Sequence, residues 1–600
     1  MGTKLQFVDL DVAIKSLIVD QLPRPSDLKN VCLLNKQLHE LAVKPLYRHV
    51  NLDLGSSNDN RLTAFCNPRN IGLQHIRQIR LYLAKVRDTC NQKQQAAFAT
   101  RMILEFLPEN TIEEFSWCPW EPFSADNLML LYKRQRRLKW LEVMDLDRPI
   151  LPALKKDTAL QADLFTNARK LALYPENRET LDVCQYFVEK TANVLEDLII
   201  HANFDTHDLR DHSPSTEGVD TRDLNDSATG PGLLMRKIFG HSQPFETATP
   251  LRNLKALRLH RINLRHCADT WCRVVDFQRI ESLRLYQCPG VDSLFGQMSK
   301  AVHLPKQLKV LEFQHKDNSE NEALIALDGF LCLVSGIHEL VIDMVQIKHL
   351  PAAAGIARHG KTLESLNVHG SESCGHLTSS DGEYDELVYD LDDFEKIAQS
   401  CVTLEQLSCA WPPTSLIRSP EAEWQAFENA AFGNMSNLVT LQITTFPSNK
   451  PWTQLLPRSV YEQLLQGLAE RLFERARNGV AKSDTNPVPS LTYHADVTAD
   501  SSLGGKRPGK LNLIAFGVSE KIYEREDSKN QLLFLRSTAK TALGADKVYA
   551  APVGWCLRQF LEPRSDVLDF VLMPGRESRV PCREREVGSA WGDDDELEFT

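Results

Sequence analysis

The chain has 600 residues, of which 42% are hydrophobic and 25% charged, with a formal net charge of −11. Such a length is too great for one compact core and specifies several domains or an elongated repeat array. The charge balance and the lack of a long basic tract speak against a nucleic-acid partner, and no run approaches the roughly 18 apolar residues of a membrane-spanning helix.

The first residues, Met1 to Leu5, hold no apolar stretch of signal-peptide length, and Gln6-Phe7 does not fit the myristoylation pattern that Gly2 invites. The 14 cysteines are scattered, and Cys288, Cys401 and Cys409 occupy small apolar positions. That usage belongs to a reducing compartment, so cytoplasm or nucleus is the expected location.

Leu10, Ile14, Leu17, Ile18 and Leu22 recur at helical spacing, with Asp9 placed to cap the helix and Pro23 and Pro25 to stop it. Ser26-Asp27 opens a second predicted helix carrying Leu28, Val31, Leu34, Leu38 and Leu41, which Pro45 should break. Leu46 to Leu52 then reads as extended. Two helices this short cannot bury their faces alone.

These residues resemble the F-box, the short helical module through which substrate receptors attach to the Skp1 subunit of cullin–RING ubiquitin ligases. Leu10, Ile14, Ile18 and Leu22 fall on the family's four-residue spacing, and Asp27-Leu28 on its Asp-Leu pair. Leu34-Asn35-Lys36 and Leu38 fall on the segment that follows, and Leu46-Tyr47-Arg48-His49-Val50 on a closing pattern that looks like F-box proteins of filamentous fungi. Asp11 stands where the family has proline. The resemblance implies that Leu10, Ile14, Ile18, Leu22, Leu28, Leu34 and Leu38 contact Skp1 and, through it, the cullin and RING subunits. The other reading of this stretch is an end cap for the repeats that follow.

From residue 76 onward a pattern of apolar positions at i, i+3 and i+5 recurs. Its clearest copy is Ile280-x-x-Leu283-x-Leu285 with Cys288, flanked by Leu254-x-x-Leu257-x-Leu259 and Leu308-x-x-Leu311-x-Phe313. Earlier copies start at Ile76, Ile112, Leu138, Ala168 and Leu195, and later ones at Ile337, Leu363, Leu404, Leu438 and Leu511. The pattern and its period resemble leucine-rich repeats. Each triplet predicts a short strand, and helical patterns lie between them at Gln95–Leu107, Glu179–Thr191, Asn321–Leu333 and Val460–Arg475. Parallel strands joined by helices make an α/β solenoid, with strands on a concave face and helices on a convex one.

The expected division is a helical module at 1–52, repeat units at 53–204, a polar and partly disordered insertion at 205–250, and central units at 251–450. A C-terminal region at 451–585 and an acidic tail at 586–600 follow. Leu233 to Phe239 reads as a return to helix inside the insertion, 371–386 and 478–510 as polar loops, and Gln531–Leu543 with Gly554–Phe560 as helices that close the array.

No catalytic or metal signature survives inspection. Gly504-Gly505-Lys506 lacks phosphate-loop spacing. His266-Cys267 and Cys272 have no second pair and, beside Trp271, read as one side of a helix. Cys374-Gly375-His376 sits in a loop without partners. The expectation is a non-catalytic binding protein without cofactor or metal.

Residues that alternate with the buried triplets should face outward on the strands. They include Gln78, Arg80 and Tyr82; Trp140, Glu142 and Met144; Lys170 and Tyr174; Asp197 and His201; Arg258 and His260; and Arg284 and Tyr286. Aromatic and arginine side chains on an exposed sheet suit protein recognition. Arg80, Tyr82, Trp140, Tyr174, Arg258, His260, Arg284 and Tyr286 are therefore the candidate groove for a protein substrate, or else a solvated ladder in which Arg284 pairs with Glu312.

Overall fold

A computed structural model describes residues 10–22, 25–54, 59–82, 90–118, 123–143, 149–157, 165–175, 178–202, 233–239, 250–372, 386–416, 420–445, 458–478, 509–517, 531–540, 544, 546–553 and 564–568. They fall into two compact units, one within Met1–Pro305 and one within Lys306–Gly575. Several expectations lie outside the described residues: the cap at Asp9, Met144, the Cys374 to His376 cluster, the turn at Gly504 to Lys506, the helix at Gly554–Phe560, the acidic tail, and most of the three polar loops.

The first unit opens with three helices, α1 (Val12–Asp20), α2 (Pro25–Cys32) and α3 (Lys36–Arg48). Val19, Leu28, Leu38 and Ala42 form their common core, with Leu22, Val31, Cys32, Leu41 and Leu46 packed against it. The single second helix expected from the leucine spacing is in fact two. Asn35 interrupts it: its side-chain oxygen accepts the Leu38 N–H at 2.8 Å, the geometry of an N-cap. Pro25 begins α2 rather than ending α1, and Pro45 lies inside α3, which runs on to Arg48. Packing holds α3 through the lost hydrogen bond, since Leu38, Ala42 and Val43 are buried. The Tyr47 ring lies where a Cβ on Gly72 would stand, so only glycine fits there. Extended chain therefore starts at His49, not Leu46.

Asp11 caps α1 by accepting the Ala13 N–H at 2.8 Å. Asp11→Ala should destabilise α1 by about 1 kcal/mol. Hydrogen exchange of the α1 amides would show this as faster opening, and unchanged protection would refute the capping role.

Strands β1 (His49–Asp53), β2 (Gln78–Tyr82), β3 (Glu114–Trp117), β4 (Trp140–Val143), β5 (Lys170–Leu173), β6 (Asp197–His201), β7 (Ala256–His260) and β8 (Ser282–Tyr286) follow in the first unit. Each pairs in parallel with the next, in a register that aligns the triplets: Ile79, Phe115, Leu141, Leu171, Leu198, Leu257 and Leu283 form one row. The second unit holds β9 (Val310–Lys316), β10 (Glu339–Val345), β11 (Ser365–Ser371), β12 (Gln406–Cys409), β13 (Thr440–Ile443) and β14 (Leu513–Phe516), again parallel and in register. Strands β2 to β14 are the thirteen predicted from the triplets, and the leading residue of every triplet is buried. Helices stand at Cys90–Phe106, Arg178–Thr191, Leu233–Ile238, Glu322–Leu333 and Arg458–Asn478, where the sequence pattern places them. The protein is thus a mixed α/β structure whose sheet is mostly parallel.

The C-terminal expectation is corrected. Gln531–Leu543 is not helical: Leu532–Lys540 forms strand β15, antiparallel to β14, and Asp546–Val553 forms β16, antiparallel to β15. Leu533 and Phe534 are buried by this pairing, and Gly544 turns between the strands at φ +80°. Pairing with an otherwise open strand edge outweighs the helical propensity of the segment.

One regularity organises the entry to the strands. The carbonyl of the residue at Arg77, Glu113, Lys139, Arg169, Glu196 or Lys255 accepts two N–H groups from the next step, and Lys309, His338, Glu364, Glu405 and Val439 repeat this in the second unit. Most side chains of this row are charged, Val439 being apolar. In the first unit opposite signs meet at most steps, as with Lys139 against Glu113 at 2.7 Å and Lys255 against Glu196 at 2.8 Å, while Lys139 and Arg169 are consecutive bases. In the second unit two acids, Glu364 and Glu405, stand on consecutive steps.

Candidate interaction surfaces

The three-helix module presents apolar side chains to solvent. Val12, Ile14, Leu17, Ile18, Leu33 and Leu34 are all exposed, Leu17 at 64% and Leu34 at 69%. On α1, Ile14, Leu17 and Ile18 share one stripe at i, i+3 and i+4, while Lys15 and Val19 turn inward. Lys15 is satisfied there by the Gln37 side-chain oxygen at 3.2 Å. Of the residues expected to meet a partner, Ile14, Ile18 and Leu34 are exposed and Leu10 is half-buried. Leu28 and Leu38 belong to the module's core, with Leu22 packed on it. Leucine spacing alone does not separate the face that holds three helices together from the face they leave open. Leu17 and Leu33 are the additional members.

The outward strand positions have the expected register but not the expected exposure. Arg258 is paired with Arg284 and His260 with Tyr286. Yet Tyr286 is only 1% exposed, and Trp140, Arg258 and His260 are buried as well. Arg80, Tyr82, Tyr174 and Arg284 are half-buried. The cause is the strand spacing of roughly 4.8 Å, which brings large side chains of one row into contact. The Tyr174 and His201 rings lie 5.6 Å apart, His201 and His260 3.8 Å, and His260 and Tyr286 6.0 Å. The expected open groove at these residues is therefore a packed ladder.

The ladder continues as a hydrogen-bonded chain. The Glu142 carboxylate accepts the Ser116 hydroxyl at 2.9 Å and the Tyr174 hydroxyl at 3.0 Å. Arg80 donates to the Cys118 sulfur at 3.2 Å, and the Lys170 ammonium sits 4.1 Å above the Trp140 ring while meeting Asp197 at 3.2 Å. Burial, aided by Arg261, lowers the His201 pKa to about 3, and burial beside His201 holds that of His260 well below the ordinary range. Both rings are neutral at physiological pH.

The second unit carries a charged counterpart. His369 Nδ1 lies 2.8 Å from Asp343 and its Nε2 2.9 Å from Glu386, with all three side chains buried. Burial opposes its charge, but the Glu386 carboxylate and the hydrogen bonds to Asp343 and Glu386 outweigh it and raise its pKa to about 10. Gln314 donates to Asp343 at 3.2 Å and Thr444 to Glu386 at 2.8 Å. Asp343 and His369 each follow the last residue of a triplet and so share one outward strand position, whereas Glu386 carries no local motif.

Cys267 and Cys272 flank the fully buried Trp271, and burial pushes both thiols up to about 12. They are protonated, as packing residues are. Among the described residues no group of His, Cys, Asp and Glu is placed to hold a metal ion, and no helix is long and apolar enough to cross a membrane. Cys32, Cys66, Cys118, Cys184, Cys267, Cys272, Cys288, Cys332, Cys401 and Cys409 are free thiols.

No protein-family model matches this sequence, and no curated protein matches it.

Proposed function

We propose that the chain is a substrate-receptor adaptor of a Skp1–cullin–RING ubiquitin ligase, with an F-box-like module at α1–α3 followed by leucine-rich repeats. In this reading α1 and the α2–α3 turn engage Skp1, and the strand faces hold a protein substrate. The protein does no chemistry itself; it raises the effective concentration of the substrate near the transferring enzyme. The observation that carries the reading is the exposed set Ile14, Leu17, Ile18, Leu33 and Leu34 on a helical trio that already has its own core. An end cap serving only the repeats would turn such a stripe inward, because exposed clustered apolar surface is costly without a partner.

The test is capture of Skp1 by the full-length chain, compared with the Ile14→Asp, Ile18→Asp double variant. Wild-type capture should fall by roughly thirtyfold in the variant, since a buried hot spot carries about 2 kcal/mol or more. A wild-type chain that captures no Skp1 ends the adaptor reading. Equal capture by the variant removes the α1 stripe from the interface.

A further inference from the structure

We infer that the outward face of β11–β13 is a binding site for a short peptide that closes in a 3-10 turn, and that the chain's own segment Arg564 to Leu568, turned at Asp566–Leu568, fills it as an internal ligand. The inference stands whether or not α1–α3 bind Skp1; within the adaptor reading, this face is the substrate site.

The segment is held as a groove holds a peptide, by side chains that read its backbone and by positions that receive its side chains. The Asn367 amide donates to the Val567 carbonyl at 3.3 Å. Gln406 meets the segment twice, its Oε1 accepting the Val567 N–H at 3.3 Å and its Nε2 donating to the Asp566 carboxylate at 2.9 Å. The Thr440 hydroxyl donates to the Arg564 carbonyl, and the Gln531 amide to that of Leu568 at 3.4 Å. Asn367, Gln406 and Thr440 belong to three successive strands, so the segment crosses them.

Two side chains of the segment fill matched positions. Leu568 is fully buried among Leu513, Ala515 and Leu533. The Arg564 guanidinium bridges Glu364 at 2.8 Å and Glu405 at 2.7 Å. These are the two consecutive acids of the strand-entry row. A pair of adjacent carboxylates is a ready site for a cation, and a guanidinium fits it with two charge-assisted hydrogen bonds. The three side chains of this ion pair are between a third and a half exposed, so solvent and salt screen it and a competing cation can replace it. The ligand class follows from these contacts: a protein segment with a basic residue, an acidic residue two positions on, and an aliphatic residue two beyond that, in the order of Arg564, Asp566 and Leu568.

The experiment uses a fluorescent peptide, Pro-Arg-Ser-Asp-Val-Leu-Asp, and the full-length chain. Wild type should show little saturable binding because its site is filled. Two variants release the internal segment, the mild Arg564→Ala and the stronger Arg564→Glu with Leu568→Asp, and each should bind the peptide at least tenfold more tightly. Adding Glu364→Arg and Glu405→Arg should abolish that gain. Equal binding by wild type and both released variants overturns the inference, as does no binding by an Arg564→Ala chain with unchanged melting. Loss of folding in Arg564→Ala overturns it too, since a replaceable ligand is not essential to the fold.

Discussion

His369→Ala should destabilise the second unit by about 3–5 kcal/mol, the range for removing one partner from a buried ion pair. The substitution leaves Asp343 and Glu386, both almost wholly inaccessible, without the imidazolium between them. The pH dependence distinguishes this cause from simple loss of volume. In the folded chain the His369 pKa is raised to about 10, from an ordinary value of 6.5. A folded-state pKa above the unfolded one means that folding binds a proton. The stabilisation is therefore complete below about pH 6.5 and is lost as pH rises toward 10. Thermal melting of the wild-type second unit should decline across that window, whereas the variant should lack this decline and gain stability in acid as the orphaned carboxylates protonate. Parallel pH profiles for the two chains would show that His369 is not charged in the fold.

Gln135→Ala is expected to destabilise the first unit by on the order of 3 kcal/mol, from polar groups left unpaired in the interior. Gln135 follows the helix Ala125–Arg134 and is fully buried. Its oxygen accepts the N–H groups of Thr111 and Ile112 at 2.9 and 3.0 Å, and its nitrogen donates to the Pro108 carbonyl at 2.9 Å. Ile112 leads the triplet of β3, so one side chain satisfies the backbone that delivers the chain into that strand. Gln135→Met keeps the length but not the hydrogen bonds, and it should be nearly as harmful. If calorimetry shows Gln135→Met melting like wild type, the cost in the alanine variant belongs to the cavity instead.

The strands were legible because their signal is local. Apolar residues at i, i+3 and i+5 report the buried row wherever they occur, and β2 to β14 follow from them. The break between α2 and α3 was not, because Leu28, Val31, Leu34, Leu38 and Leu41 keep their period straight through it. The cap formed by Asn35 decides the geometry there. Alternation along a strand gives the side on which a residue lies but not its depth, so it places Tyr286 and Arg258 on the outward row without revealing that both are buried there. Pairings such as Arg564 with Glu364 join residues 200 apart and leave no trace in any window of sequence. The same holds for β15, where Leu, Arg, Ala and Lys suit a helix and the partner strand overrides them.

An array of identical parallel steps contains no instruction to stop, since each strand offers the next the same unpaired edge. The antiparallel turn-back of β15 and β16 supplies that instruction. It occupies the edge of β14 and ends in a strand that carries Lys547 and a proline, Pro552, which has no N–H to offer a newcomer. The hairpin thus works as a chain terminator in a one-dimensional polymer. A protein cut before Leu532 would present the open edge of β14 as a growing end, and its hazard would be filament formation.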